Sequence, residues 1–256
     1  MARTQSEERF EEYLRAHGIN YFAYEEPVSR KTKLVDYCIP WRGQWIYCEV
    51  KERPEKSEPD GACTFDPFKV WRKKIEKARV KFEEYADDCC AVVCYNLGDL
   101  DMWHAPHVIF GAMLGDLGVT ESGHNVFLHR GGKMVDYDNQ AYQNRTISAL
   151  IVLEHRSVSN LEWEALVANE FERGKVEPPS DEAAICAIER LLSQPRSFDS
   201  ILRVIVCQNP GARMPLPRDL FRGAFDERWA IENGRLTQVF RGSRCHLLCR
   251  ETTSTT

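Results

Sequence analysis

Near the start of the chain, Phe10, Tyr13, Leu14 and His17 fall on one face at helical spacing, which predicts a helix from Ser6 to His17. Ser6 is its expected N-cap, and Gly18 stops it as a C-terminal glycine. The pattern then favours strands at Ile19 to Glu25, Lys33 to Ile39 and Gln44 to Lys51, the last two separated by Pro40-Trp41-Arg42-Gly43. Polar, proline-bearing Arg53 to Pro67 reads as a loop. Trp71, Ile75, Ala78, Phe82 and Tyr85 form the apolar stripe of a long helix, Phe68 to Asp87, and Ala91 to Tyr95 is apolar enough for a strand buried on both faces. Further on, the expectation is a helix at His107 to Leu117, a hairpin at Asn125 to Val135 turning on Gly131-Gly132, and a strand at Thr146 to Glu154. Two helices, Leu161 to Arg173 and Asp181 to Leu192, flank Pro178-Pro179; strands at Ile201 to Cys207 and Arg235 to Phe240 precede a flexible tail from Glu251. The order predicts a mixed α/β fold with an antiparallel pair near its start and no internal repeat.

The hairpin carries the candidate chemistry. If Arg42 and Gly43 form a two-residue turn, Trp41 pairs with Gln44 and Asp36 lies opposite Glu49. Alternation puts Leu34, Asp36 and Cys38 on one face with Tyr47, Glu49 and Lys51. Val35, Tyr37, Ile39, Ile46, Cys48 and Val50 share the other face, which is apolar and expected to meet the core. Opposed residues have Cβ atoms about 5 Å apart, where like charges destabilise a sheet. Two such carboxylates need a proton, a cationic side chain or a bound cation between them. Oxygen ligands without histidine favour a hard ion such as Mg²⁺, which polarises a phosphodiester and lowers the pKa of its bound water. Lys51 would hold that water or offset charge on the phosphate. The plain alternative is a surface hairpin with an ordinary Asp36–Lys51 ion pair.

An acid-x-Lys triplet alone means little, because chance supplies roughly one or two in a chain of this composition. The combination says more. Val35-Asp36, twelve intervening residues and Glu49-Val50-Lys51 resemble the PD-(D/E)xK, or restriction-endonuclease-like, nuclease superfamily, with Val35 in place of the motif's proline. The order helix, strand, strand with Asp, strand with Glu-x-Lys, helix, strand from Ser6 to Tyr95 is similar to that family's core. The resemblance implies a restriction-endonuclease-like mixed sheet flanked by helices, with Mg²⁺ or Mn²⁺ held by Asp36, Glu49 and the Val50 carbonyl while Lys51 assists the attacking water. Residues 1–157 would be the catalytic core and residues 158–250 a C-terminal α/β extension packed on it. Such families often add an acid from the first helix. At 100° per residue Glu7 lies nearest the apolar face, as a further catalytic candidate or as a plain solvated helix start; Glu8, Glu11 and Glu12 are expected to solubilise the helix.

Charge distribution adds a partner. Lys69 to Lys81 hold seven basic residues against Glu76 alone, within a 256-residue chain of net charge −5. Lys74, Lys77 and Lys81 cluster on one flank of the helix, where they would track DNA phosphates unless they are only a solvated face. Lys81 and Tyr85 also resemble the Gln-x-x-x-Tyr helix motif of related nucleases, with Lys in place of Gln. Arg213 and Arg218, in a proline- and arginine-rich stretch from Asn209 to Trp229, are further nucleic-acid-binding candidates, or part of an ordered loop on the sheet edge.

With 43% hydrophobic and 29% charged residues the composition is globular, and runs such as Ala149 to Leu153 are far shorter than the roughly 20 residues of a membrane helix. Arg3, Glu7, Glu8 and Arg9 precede any apolar run, so the expectation is a soluble, cytoplasmic protein without membrane contact. Ten cysteines without a Cys-x-x-Cys pair mostly lie in apolar runs, as buried reduced thiols would; Cys245, His246 and Cys249 keep a structural zinc site open. No phosphate-binding Gly-x-x-x-x-Gly-Lys-Ser/Thr loop is present, so cleavage should not consume ATP. The reading is a metal-dependent DNA endonuclease. A branched-DNA resolvase and a non-catalytic nucleic-acid-binding subunit of a larger defence or mobile-element complex are the alternatives, and a homodimer or a targeting partner protein would suit either enzyme.

Overall fold

The computed structural model describes residues 3–23, 34–53, 68–96, 105–115, 117–119, 125–127, 132–135, 141–157 and 200–242. Its elements are α1 (Gln5–Ala16), β1 (Phe22–Ala23), β2 (Tyr37–Trp41), β3 (Gln44–Arg53) and α2 (Lys69–Phe82), which a 3₁₀ turn at Glu83–Tyr85 continues. There follow β4 (Cys89–Asn96), α3 (Pro106–Leu114), β5 (Leu117–Val119), β6 (Asn125–Phe127), β7 (Ile147–Ser157), β8 (Ser200–Gln208), β9 (Glu227–Glu232) and β10 (Arg235–Arg241). Eight strands form one mixed sheet in the order β1-β2-β3-β4-β7-β8-β9-β10. The fold is mixed α/β, with β3, β4 and β7 parallel at its centre and the first hairpin antiparallel beside them.

Both faces of the sheet are covered. On one side Trp71, Ile75, Ala78 and Phe82 of α2, with α3, pack on Cys38, Tyr47, Cys90, Val92, Cys94 and Leu150. On the other, Phe10, Tyr13 and Leu14 of α1 join Leu216, Leu220 and Phe221 over Tyr37, Ile39, Ile46, Cys48, Val50 and Val93. The expected stripe of α2 and the doubly buried β4 are therefore observed. Among the described residues, six cysteines (Cys38, Cys48, Cys89, Cys90, Cys94 and Cys207) are buried in these layers. Burial pushes the Cys48 and Cys207 thiols well above their ordinary range and Cys89 up to about 11.

Several expectations are corrected. The α1 N-cap is Thr4, whose side chain accepts the Glu7 N–H; Ser6 is a buried residue inside the helix. The stop at Gly18 stands, with φ of +64°. Strand β2 begins at Tyr37, because the chain bends at Asp36. The bend breaks the alternation and carries Val35 to the α2 side with Cys38 and Tyr47, not to the face of Tyr37 and Ile39. A hairpin over 125–135 is not what forms: β6 pairs with β5, while Lys133 and Met134 donate backbone hydrogen bonds to Ala112 and Met113 and Val135 bridges Tyr142. Leu117 accordingly belongs to β5 and the helix before it ends at Leu114. The end of the stretch Asn209 to Trp229 enters β9, which turns through Asn233 and Gly234 (φ +52° and +74°) into β10. The expected helices between Leu161 and Leu192, residues 54–67, Cys245, His246, Cys249 and the tail lie outside the described residues. No helix among the described residues is long and apolar enough to cross a membrane.

Candidate active site on the first hairpin

The turn between β2 and β3 consists of two residues, Arg42 and Gly43, both with positive φ (+48° and +83°), the type I′ geometry that matches strand twist. Arg42 is tied to Asp219 by a 2.7 Å ion pair. This turn sets the expected register, from Trp41↔Gln44 to Tyr37↔Cys48. Beyond Tyr37 the backbone ladder stops. There the Val50 N–H, which points to the β2 side as those of Cys48 and Ile46 do, donates to Asp36 Oδ2 at 2.7 Å. The Asp36 side chain thus replaces the backbone acceptor that a continuing β2 would have supplied.

Glu49 and Lys51 project from β3 toward the α2 side, the face of Tyr47. Glu49 is only 3% exposed. Its Oε1 is contacted by the Lys51 ammonium, and its Oε2 by the ammonium of Lys81, which arrives from α2. Lys81 Nζ also lies 3.1 Å from Asp36 Oδ1. One ammonium therefore sits between the two carboxylates, and a second closes the cluster. Of the three ways to separate the acids, the structure uses a cationic side chain.

Lys81 lies seven residues after Lys74, on the same flank of α2 that faces β3, but its ammonium is turned into the acid pair. Its place in this cluster is what the helix pattern missed, and its one sequence signal was its place four residues before Tyr85. Burial first, then the Asp36 charge, push the Glu49 carboxyl above its ordinary range against the pull of Lys51 and Lys81. Burial alone would lower Lys81, but Glu49 and Asp36 outweigh it and hold the ammonium above its usual value. Both shifts have the same sense: the cluster keeps protons that separate groups would give up, as two crowded carboxylates do.

The other expected residues are spread wider. Lys74 Nζ donates to the Glu52 carbonyl at 2.7 Å, one residue past Lys51, and Lys77 is exposed on the same helix. Arg213 reaches Asp87 Oδ1 (2.8 Å) and the Ala86 carbonyl, just before β4. Arg218 is exposed beside Asp219, near the hairpin turn. Both arginines lie toward the start of β3 and β4, where Ile46 pairs with Cys89, whereas Lys51 pairs with Cys94 five residues on. At the usual strand rise that is roughly 16 Å away. Glu7 Oε2 accepts the Thr4 N–H at 2.6 Å in a capping box. Glu11, expected to solubilise α1, is instead 1% exposed, accepting from Tyr37 Oη (3.1 Å) and paired with Arg3 and Arg15. Arginines from both sides of the helix shield its charge.

Among the described residues, no three His, Cys, Asp or Glu side chains converge on one point as a metal centre. The donor set of the hairpin is two carboxylates and adjacent main chain. The chain matches no protein-family model, no curated protein and no solved structure.

Proposed function

We propose that this chain is a metal-dependent endonuclease that hydrolyses DNA phosphodiester bonds through Asp36, Glu49 and Lys51, in the manner of the PD-(D/E)xK superfamily. The observation that carries the reading is the single cation shared by Asp36 Oδ1 and Glu49 Oε2. Two carboxylate oxygens that already divide one positive charge are a fitting pair for Mg²⁺ or Mn²⁺, with the Val50 main chain beside them. Bound there, the ion would supply Lewis acidity and a more acidic water. Lys51, held on Glu49 Oε1, would orient a nucleophilic water and offset charge on the phosphate. Lys74 and Lys77 extend positive charge along α2 from the same end of β3 and would hold the DNA backbone. With its carboxylate in the helix cap, Glu7 supports the position of α1 in this reading, and catalysis rests on the hairpin.

The test is cleavage of linear, branched and single-stranded DNA with Mg²⁺, with Mn²⁺ and with EDTA. The parent should cut only with the ion, and Glu49→Ala should leave DNA binding but no turnover. A Glu49→Ala protein that cuts as fast as the parent would remove the site; preference for branched DNA would make the enzyme a resolvase. A second reading has its own observation. The four charges of Asp36, Glu49, Lys51 and Lys81 cancel without any metal, as suits a non-catalytic DNA-binding subunit. DNA binding that is indifferent to both metal and EDTA, with no cleavage of any substrate, would favour it.

A further inference from the structure

We propose that Lys81 is a resident counter-ion that a divalent metal must displace, so that this helix residue sets the metal affinity of the hairpin site. The proposal rests on the assignment of Asp36 and Glu49 as metal ligands. Its geometric basis is specific. Among the described residues, Lys81 alone contacts both carboxylates, through Asp36 Oδ1 and Glu49 Oε2, whereas Lys51 takes only Glu49 Oε1. A Mg²⁺ ion needs oxygens at about 2.0–2.1 Å and would claim the same two atoms. An ammonium and a divalent ion cannot share that space, because each is repelled by the other and both need the same lone pairs. Metal entry is therefore an exchange, not an addition.

The structure provides for the exchange. Lys81 comes from α2, a different element from either acid, on a flexible four-carbon stem. Its side chain is 26% exposed, so the displaced ammonium has a route to solvent. Turned outward, it joins the lysine-rich surface of α2, where a DNA phosphate would receive it. One residue thereby neutralises the acids in the empty site and meets the substrate in the loaded one.

The experiment measures Mn²⁺ binding to the full chain by electron paramagnetic resonance and calorimetry, for the parent, Lys81→Met and Lys81→Arg. Met keeps the length and apolar stem of lysine without its charge. Lys81→Met should bind Mn²⁺ about tenfold more tightly or better, the scale of one charge-assisted contact removed from competition. Lys81→Arg should show no such gain. A folded Lys81→Met protein that binds Mn²⁺ no more tightly than the parent, or not at all, overturns the proposal.

Should Lys81→Met fail to fold, the parent itself supplies the test. Acetylation of Lys81 by acetic anhydride, read by mass spectrometry against exposed Lys77, should accelerate several-fold when Mn²⁺ saturates the site; an unchanged rate overturns the proposal. The two readings fail separately. Tighter Mn²⁺ binding without any DNA cleavage keeps the exchange and removes the nuclease, whereas metal-dependent cleavage without tighter binding does the reverse.

Discussion

Replacing Asp36 separates what its side chain does for the hairpin from what it does for the charge cluster. Oδ2 accepts the Val50 N–H at 2.7 Å where the β2–β3 ladder ends, while Oδ1 faces Lys81 at 3.1 Å. Asp36→Ala removes both contacts and leaves the amide of buried Val50 without its acceptor. A lost hydrogen bond to a charged acceptor costs about 2 kcal/mol. For a chain of this size that lowers Tm by about 4–8 °C. Asp36→Asn keeps an oxygen for the Val50 amide and loses only the charge opposite Lys81, whose ammonium retains Glu49. With both partners of the lost pair partly exposed, the cost should stay below about 1 kcal/mol.

The assays are urea unfolding of both variants, hydrogen exchange at the Val50 amide, and DNA cleavage in Mg²⁺. Ala should speed Val50 exchange and lower stability, and Asn should restore both. Neither should cut DNA, because the charge is missing from each. An Asn variant as unstable as Ala refutes the assignment of Oδ2 to the hairpin, and one that turns over at the parental rate refutes the assignment of Oδ1 to the chemistry.

Arg203, buried between Glu154 (2.8 Å) and Glu227 (3.1 Å), should be costly to lose: Arg203→Leu is expected to destabilise by about 3–5 kcal/mol in urea unfolding, and a loss under 1 kcal/mol would contradict the burial argument. For Glu49, whose folded carboxyl is held above its ordinary value of 4.5, ionisation in the fold is unfavourable. The associated stability is present below the unfolded value and lost as pH rises through the folded one. The stability of the parent relative to Glu49→Gln should therefore decline from pH 4 toward neutrality, and parallel curves would show that Glu49 does not titrate abnormally. Iodoacetamide at pH 8 should leave Cys38, Cys48, Cys89, Cys90, Cys94 and Cys207 unmodified in the native protein and label all six in guanidinium; rapid native labelling of any one would contradict its burial.

The hairpin was legible because its information is local. A two-residue turn dictates register as far as Tyr37↔Cys48, and that register delivers Asp36 to the neighbourhood of Glu49 and Val50. The α2 stripe was legible for the same reason, since Trp71, Ile75, Ala78 and Phe82 need only helical spacing. What failed depended on distant partners. Val35 changes face because the Asp36 side chain, not the backbone, meets Val50, and no alternation rule anticipates a bend. Lys81 reads as one of seven basic helix residues until the helix is docked on β3. Glu11 reads as solvated until Arg3, Arg15 and Tyr37 surround it. Strand β9 was lost to its arginine- and proline-rich approach, although Asn233-Gly234 before Arg235 is a strong hairpin signal.

The pairing of β7 with β8 bears on how this molecule can be taken apart. Nine residue pairs, from Ala149↔Gln208 to Ser157↔Ser200, zip a strand before residue 158 to one after residue 199. A fragment ending at Ser157 would carry the whole charge cluster yet leave the apolar length of β7 as a raw border, open to the next copy of itself. Ribosomal synthesis meets the same difficulty: until β8, as far as Gln208, has emerged, that border has no native occupant.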